Sequence, residues 1–183
     1  DRYHARVIFP VQTVSGMTVA FGGRTLSADK KVAKYVNSPE SEIYSKSREL
    51  YGLYLAKHAI VKQNRCYLVE GYMDVIAMHQ SGIENVVASS GTSLTEGQIR
   101  LIHRFTDNIT VLYDGDSAGI HASLRGIDML LAEGLNVKVL LLPDGDDPDS
   151  FARKHSAADF QNYVETRQVD FIRFKTHLLL NDA

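Results

Sequence analysis

The sequence predicts an α/β fold: a parallel sheet flanked by helices, preceded by part of a mixed α+β subdomain and followed by a small helical segment. Three observations carry this. From Cys66 onward, short apolar runs alternate with longer amphipathic ones, the pattern of βαβ crossovers. Ahead of them, residues 6–9 and 18–21 read as two strands about a Ser15-Gly16 turn. Beyond Pro148, Phe160, Tyr163 and Val164 recur at i, i+3, i+4, and Phe171, Phe174 and Leu178 at i, i+3, i+7, which is helical spacing.

The elements follow in order. After the hairpin, Gly22-Gly23-Arg24 lets backbone or an arginine approach a ligand closely. Ser38-Pro39 starts a helix over residues 40–60, because proline is tolerated in a first helical turn. Strands are expected at 66–69, 85–88, 109–113 and 137–142, with helices at 73–80, 95–106 and 118–132 between them. Ser93-x-x-Glu96 and Thr95-x-x-Gln98 both fit a capping box at the start of the second of these helices. Residues 143–148 form an acidic loop, and Asp149 is placed to cap a helix beginning near Ser150.

The 183 residues are 44% hydrophobic and 23% charged, which excludes a disordered chain. One cysteine, Cys66, excludes a disulfide framework or a cysteine-rich zinc module within the chain. No apolar run approaches the ~18 residues of a membrane span, and no signal-peptide pattern opens the chain. A soluble intracellular protein, or a piece of one, is the expectation. The net charge of −2 hides an asymmetry: residues 1–62 hold ten Lys/Arg against five Asp/Glu, residues 63–150 five against thirteen, and residues 151–183 five against four. A basic front suits polyanions and an acidic middle suits divalent cations; two solvated faces are the plainer alternative.

The acidic residues fall where α/β sheets place chemistry, beyond the carboxyl ends of strands. Glu70 ends the first strand, Asp114-Gly115-Asp116 ends the third, and Asp147-Pro148-Asp149 follows the fourth. Carboxylates converging on one sheet edge repel, and the usual relief is a bound cation or a raised pKa. Oxygen-only ligands favour Mg²⁺ or Mn²⁺ over Zn²⁺. Taken singly, each element is also an ordinary turn or helix cap. On the basic side, Arg24 follows the double glycine, Lys34 and Tyr35 precede the Asn37-Ser38-Pro39 break, and Lys46 lies on the expected first long helix. A lysine beside a tyrosine offers a phosphate contact and a stacking face, or simply solvated charge beside a half-buried ring.

The motifs Glu70-Gly71-Tyr72-Met73-Asp74, Ser90-Gly91-Thr92, Asp114-Gly115-Asp116-Ser117-Ala118-Gly119 and Asp147-Pro148-Asp149 resemble the Toprim domain of bacterial DnaG-type primases. Upstream, Phe9-Pro10, Phe21-Gly22-Gly23-Arg24, Lys34-Tyr35-Val36-Asn37-Ser38-Pro39 and Lys46-x-x-x-Leu50-Tyr51-Gly52 resemble the primase core in particular. The resemblance covers nearly the whole chain. It implies residues 1–62 as part of the basic N-terminal subdomain of the core, 63–148 as the Toprim domain and 149–183 as a helical C-terminal segment. It further implies synthesis of RNA primers on single-stranded DNA from ribonucleoside triphosphates, in the bacterial cytoplasm at the nucleoid-associated replisome, with no membrane involved.

By position, Glu70 matches the essential Toprim glutamate, Asp114 and Asp116 the metal-binding pair, Asp147 and Asp149 further acidic residues at the metal, and Asp74 another beside it. Arg24, Lys34, Tyr35 and Lys46 match basic positions that handle nucleotide or template. Glu70 as metal ligand and Glu70 as general base stay open. Full primases of this kind carry a zinc-binding module and a domain that docks the replicative helicase; both are expected outside this chain, which reads as an excised catalytic fragment. A Toprim nuclease or topoisomerase is the alternative activity. A receiver-like or haloacid-dehalogenase-like site fits less well, since Lys138 stands near a strand's start and Ala118 stands where a phosphatase prefers Thr or Val.

Overall fold

The computed structural model describes residues 2–29, 31–91, 93–113 and 126–181. Strands β1 (Arg6–Gln12), β2 (Thr18–Thr25) and β3 (Tyr35–Asn37) form an antiparallel sheet in the order β1-β2-β3. The second sheet has the order β5-β4-β6-β7-β8, from β4 (Cys66–Val69), β5 (Val86–Ala88), β6 (Asn108–Tyr113), β7 (Asn136–Leu141) and β8 (Val169–Asp170). Its first four strands are parallel, and the two-residue β8 joins β7 antiparallel.

The parallel strands are apolar throughout because both faces are covered. All four residues of β4 are buried, and the pleat sends them alternately to two cores. Cys66 and Leu68 join Val87, Ile109, Val111, Val137 and Val139 beneath α1 (Leu53–Gln63), α3 (Glu96–His103), residues 126–132 (α4) and α7 (Phe171–Asn181). Tyr67 and Val69 face the other way, onto α2 (Tyr72–Gln80), α5 (Pro148–Lys154) and α6 (Ala157–Arg167). A third, smaller core joins Phe9, Val11 and Ala20 of the front sheet to Tyr44 and Tyr72.

The chain steps from β4 outward to β5, then returns across β4 to β6. The carboxyl ends of β4 and β6 therefore flank a switch point, where sheets of this kind open a crevice. Glu70 stands at this crevice. Asp114 and Asp116 follow β6 in sequence and lie outside the described residues, as does residues 118–125 of the helix expected from 118 to 132; residues 126–132 are helical.

Residues 40–60 do not form one helix. Ser41 and Tyr44 bridge each other, Lys46–Arg48 makes a single 3-10 turn, and α1 begins only at Leu53. Tyr51 is captured by the sheet: its N–H donates to Ala88 O at 2.9 Å and its carbonyl accepts from Ala88 N at 3.0 Å. Gly52, at φ 84°, then turns the chain into the helix, and a glycine inside a helix would itself cost about 1 kcal/mol. Lys46 thus sits on a turn. The acidic loop is shorter than expected as well: Asp147, rather than Asp149, caps α5, and Pro148 supplies the first helical residue with its fixed φ.

Candidate active site

Each functional side chain is placed by a local device. Gly71 precedes α2, and its N–H donates to Asp74 Oδ2 at 3.0 Å, so Asp74 closes the first turn of the helix from within. Glu70, one residue earlier, is exposed, and its carboxylate makes no hydrogen bond or ion pair among the described residues. Ser90, at φ 60°, donates its N–H to the Glu70 carbonyl at 3.0 Å, pinning the exit of β5 to the exit of β4. Asp147 Oδ1 accepts from Ser150 N at 2.7 Å, and Ser150 Oγ is 3.1 Å from Asp147 N. Asp149, one turn below Arg153, is paired with its guanidinium. That carboxylate holds the Arg153 pKa above its ordinary value.

The basic side comes from the front sheet. Arg24 of β2 pairs across the sheet with Tyr35 of β3. Its guanidinium carbon lies 5.9 Å from the Tyr35 ring centroid, and Lys34 Nζ lies 6.0 Å from the same ring, within cation–π range. Burial pushes the Tyr35 phenol up; Arg24 opposes this, and Asp74, Asp149 and Asp147 reinforce it. One tyrosine thus feels both the cations of the front sheet and the carboxylates of the second.

Together these groups line a cleft of about 1000 Å³. Glu70, Asp74, Asp147 and Asp149 meet Arg24, Lys34 and Tyr35 there, with Asn37, Ser90, Gly91 and Arg153. Seven of the ten residues singled out from sequence therefore share one cavity. Lys46 does not line it; its backbone N–H donates to Glu40 Oε1 and its carbonyl accepts from Gln98. Asp114 and Asp116 lie outside the described residues.

The donor set suits a hard divalent cation. Every candidate ligand on the cleft is a carboxylate oxygen, and among the described residues no histidine or cysteine lines it. Among those residues no group of three is close enough to hold an ion. Asp74 and Asp147 each commit an oxygen to a backbone N–H and Asp149 is paired with Arg153, so Glu70 is the described carboxylate most available to a ligand.

Sequence reasoning missed Arg153, although Asp149 and Arg153 stand at i, i+4, the spacing of helical ion pairs. The expected helix over 73–80 also left out Tyr72. Tyr72 instead opens α2 and is 4% exposed, beneath the front sheet; no local pattern announces that contact.

Residues 67–152 match a family model described as Toprim-like, and residues 1–57 match that of the DNA primase catalytic core, N-terminal domain. The DNA primase of Halalkalibacterium halodurans is 48% identical over 175 residues, 96% of this chain. The Escherichia coli primase catalytic core superposes with a TM-score of 0.89 at 41% identity, covering all of this chain and 58% of that one. The chain belongs to the DnaG-type bacterial primase catalytic-core family. A DnaG primase catalytic domain bound to single-stranded DNA superposes equally well, with a TM-score of 0.90 at 40% identity, covering all of this chain and 58% of that one. The chain spans 29% of the length of the H. halodurans primase. The front-sheet match is what sets this chain among primases, since a Toprim-like domain alone is the less specific assignment.

Proposed function

We propose that this chain forms the nucleotidyl-transfer site of a polymerase that makes RNA primers on single-stranded DNA from ribonucleoside triphosphates. The observation that carries the reading is the meeting of the β4 and α5 carboxylates with Arg24, Lys34 and Tyr35 in one cleft. That the similar DnaG domain was solved with single-stranded DNA supports the template. The division at residues 62/63 and 148/149 belongs to the same proposal, although α1 buries Leu53, Ala56 and Ile60 in the core of the second sheet. A replicative helicase is proposed as partner of a segment outside these residues, and zinc as cofactor of another.

In the reaction a primer 3′-hydroxyl attacks the α-phosphate of the incoming nucleotide and pyrophosphate leaves in line. Glu70, Asp147 and Asp149, with Asp114 and Asp116 by motif, would hold Mg²⁺ or Mn²⁺, which when bound neutralises phosphate charge and favours ionisation of the hydroxyl. Arg24 and Lys34 orient the phosphates by charge. Tyr35, half-buried and backed by two cations, offers a face for a base. Glu70 either ligates the cation or accepts the hydroxyl proton. Asp74 keeps the Gly71 turn closed beneath it.

The test pairs primer synthesis on an oligonucleotide template with Mn²⁺ titration, with and without ATP, in the wild type, Glu70→Gln and Asp114→Asn. Nucleotide-enhanced Mn²⁺ binding and primer synthesis, both lost in the variants, are expected. Template cleavage with metal alone, needing no nucleotide, would turn the reading to a nuclease.

A further inference from the structure

The Tyr72 ring joins the front sheet to α2. It stacks on Phe9 at 4.9 Å with an interplanar angle of 3°, and Tyr51 meets it edge-on at 4.7 Å. Gly22 lies over it so closely that a Cβ there would stand 2.5 Å from the ring. A ring held on these sides has little freedom, and its packing sets where its one polar atom points. That hydroxyl donates to Asn37 Oδ1 at 2.8 Å.

Asn37 is held at its backbone too. It pairs with Gly22 in the sheet, and its carbonyl accepts from Arg2 Nη2 at 3.0 Å. With Oδ1 occupied, the amide nitrogen turns to the Gly91 side, where a Cβ on Gly91 would stand 3.8 Å from Nδ2. Asn37 Nδ2 makes no hydrogen bond among the described residues, and Asn37 and Gly91 both line the cleft. In this pair the Tyr72 hydroxyl is the donor and Asn37 Oδ1 the acceptor, which leaves both amide hydrogens of Asn37 free to donate elsewhere.

An amide presented this way offers two N–H donors beside Arg24 and Lys34, and their complement is an anionic oxygen. Resting on the nucleotidyl-transfer reading, we propose that Tyr72 is a positioning residue: it fixes the Asn37 amide so that its N–H groups receive a phosphate oxygen of the ligand in the cleft. The phosphate comes either from the nucleotide or from the nucleic-acid strand.

The experiment measures dissociation constants of the full-length protein for ATP with Mn²⁺ and for a metal-free oligothymidylate, in wild type, Tyr72→Phe, Asn37→Ala and the double variant. Tyr72→Phe keeps the packed ring and removes only the hydroxyl. It is expected to weaken one of the two ligands about three- to tenfold, the range for one lost hydrogen bond, and the affected ligand identifies the phosphate. Asn37→Ala weakens the same ligand at least as much, and adding Tyr72→Phe to it changes nothing further. An effect of Tyr72→Phe that is undiminished in the Asn37→Ala background reports a merely structural role and overturns the proposal. So does a Tyr72→Phe protein that binds both ligands as the wild type does. A wild type that binds neither ligand overturns the proposal and the proposed function together, whereas additivity in a binding-competent protein overturns the proposal alone.

Discussion

Asp147 caps α5 and is proposed as a cation ligand, and one substitution pair separates the two. As the cap of α5 it accepts from Ser150 N at 2.7 Å, and Ser150 answers through its hydroxyl at 3.1 Å from Asp147 N. Removing a cap of this kind costs about 0.5–2 kcal/mol, typically near 1. For a chain of this size each kcal/mol moves the melting temperature by about 2–4 °C. Asp147→Ala therefore lowers Tm by about 2–4 °C. Asparagine is an equally good cap, and loses only the charge at the helix start, worth about 0.3–1 kcal/mol. Asp147→Asn therefore costs less than Asp147→Ala, which loses the cap and the charge together. If Asp147 also holds the cation, Mn²⁺ affinity falls in both variants alike. Circular-dichroism melting and Mn²⁺ titration on the same samples read the two roles. Equal destabilisation by Ala and Asn would refute the capping argument, and Mn²⁺ affinity untouched by Asn would remove Asp147 from the ligand set.

Gly22→Ala drives a methyl into the Tyr72 ring, which Phe9 and Tyr51 prevent from retreating; overpacking of this sort costs about 1–3 kcal/mol, and urea unfolding should register it as a lower midpoint at unchanged slope. Asp146 gives a pH dependence. Hydrogen bonds from Lys154 and Ser150 hold its carboxyl below the usual carboxylate range. Its contribution to stability is thus complete above about pH 4, the unfolded value for Asp, and is lost as pH falls through the lower folded value. The stability gap between wild type and Asp146→Asn should be widest near neutrality and close in acid; a gap constant down to pH 2 would contradict the pairing.

What the sequence made legible was what neighbouring residues decide. Strands β4, β6 and β7 could be read because parallel strands buried on both faces must be apolar throughout, and the start of α3 because Thr95 and Gln98 cap it locally, with Thr95 Oγ1 accepting from Gln98 N at 3.2 Å. The convergence of Glu70, Asp147 and Asp149 followed from strand direction alone. Residues 40–52 were misread because their conformation depends on a partner 37 positions away, the pairing of Tyr51 with Ala88. Strand β3 escaped notice for the same reason, since three residues without β2 carry no period. Tyr72 reaches the cleft through the packing of α2 beneath the front sheet, which no spacing within one segment encodes, whereas Arg153 is signalled by its i, i+4 spacing from Asp149.

The Tyr51–Ala88 bridge has a consequence beyond ending a helix. It occupies the outer rim of β5 with two backbone hydrogen bonds, while at the opposite rim β8 is only two residues long. Short or covered rims are how sheets avoid recruiting foreign strands. A strand from another molecule would have to evict Tyr51 from the β5 rim, and with it the ring that braces Tyr72. Self-association by strand exchange at that rim is thereby tied to damage at the cleft, so a polymer grown there would be built of subunits whose cleft has lost its brace.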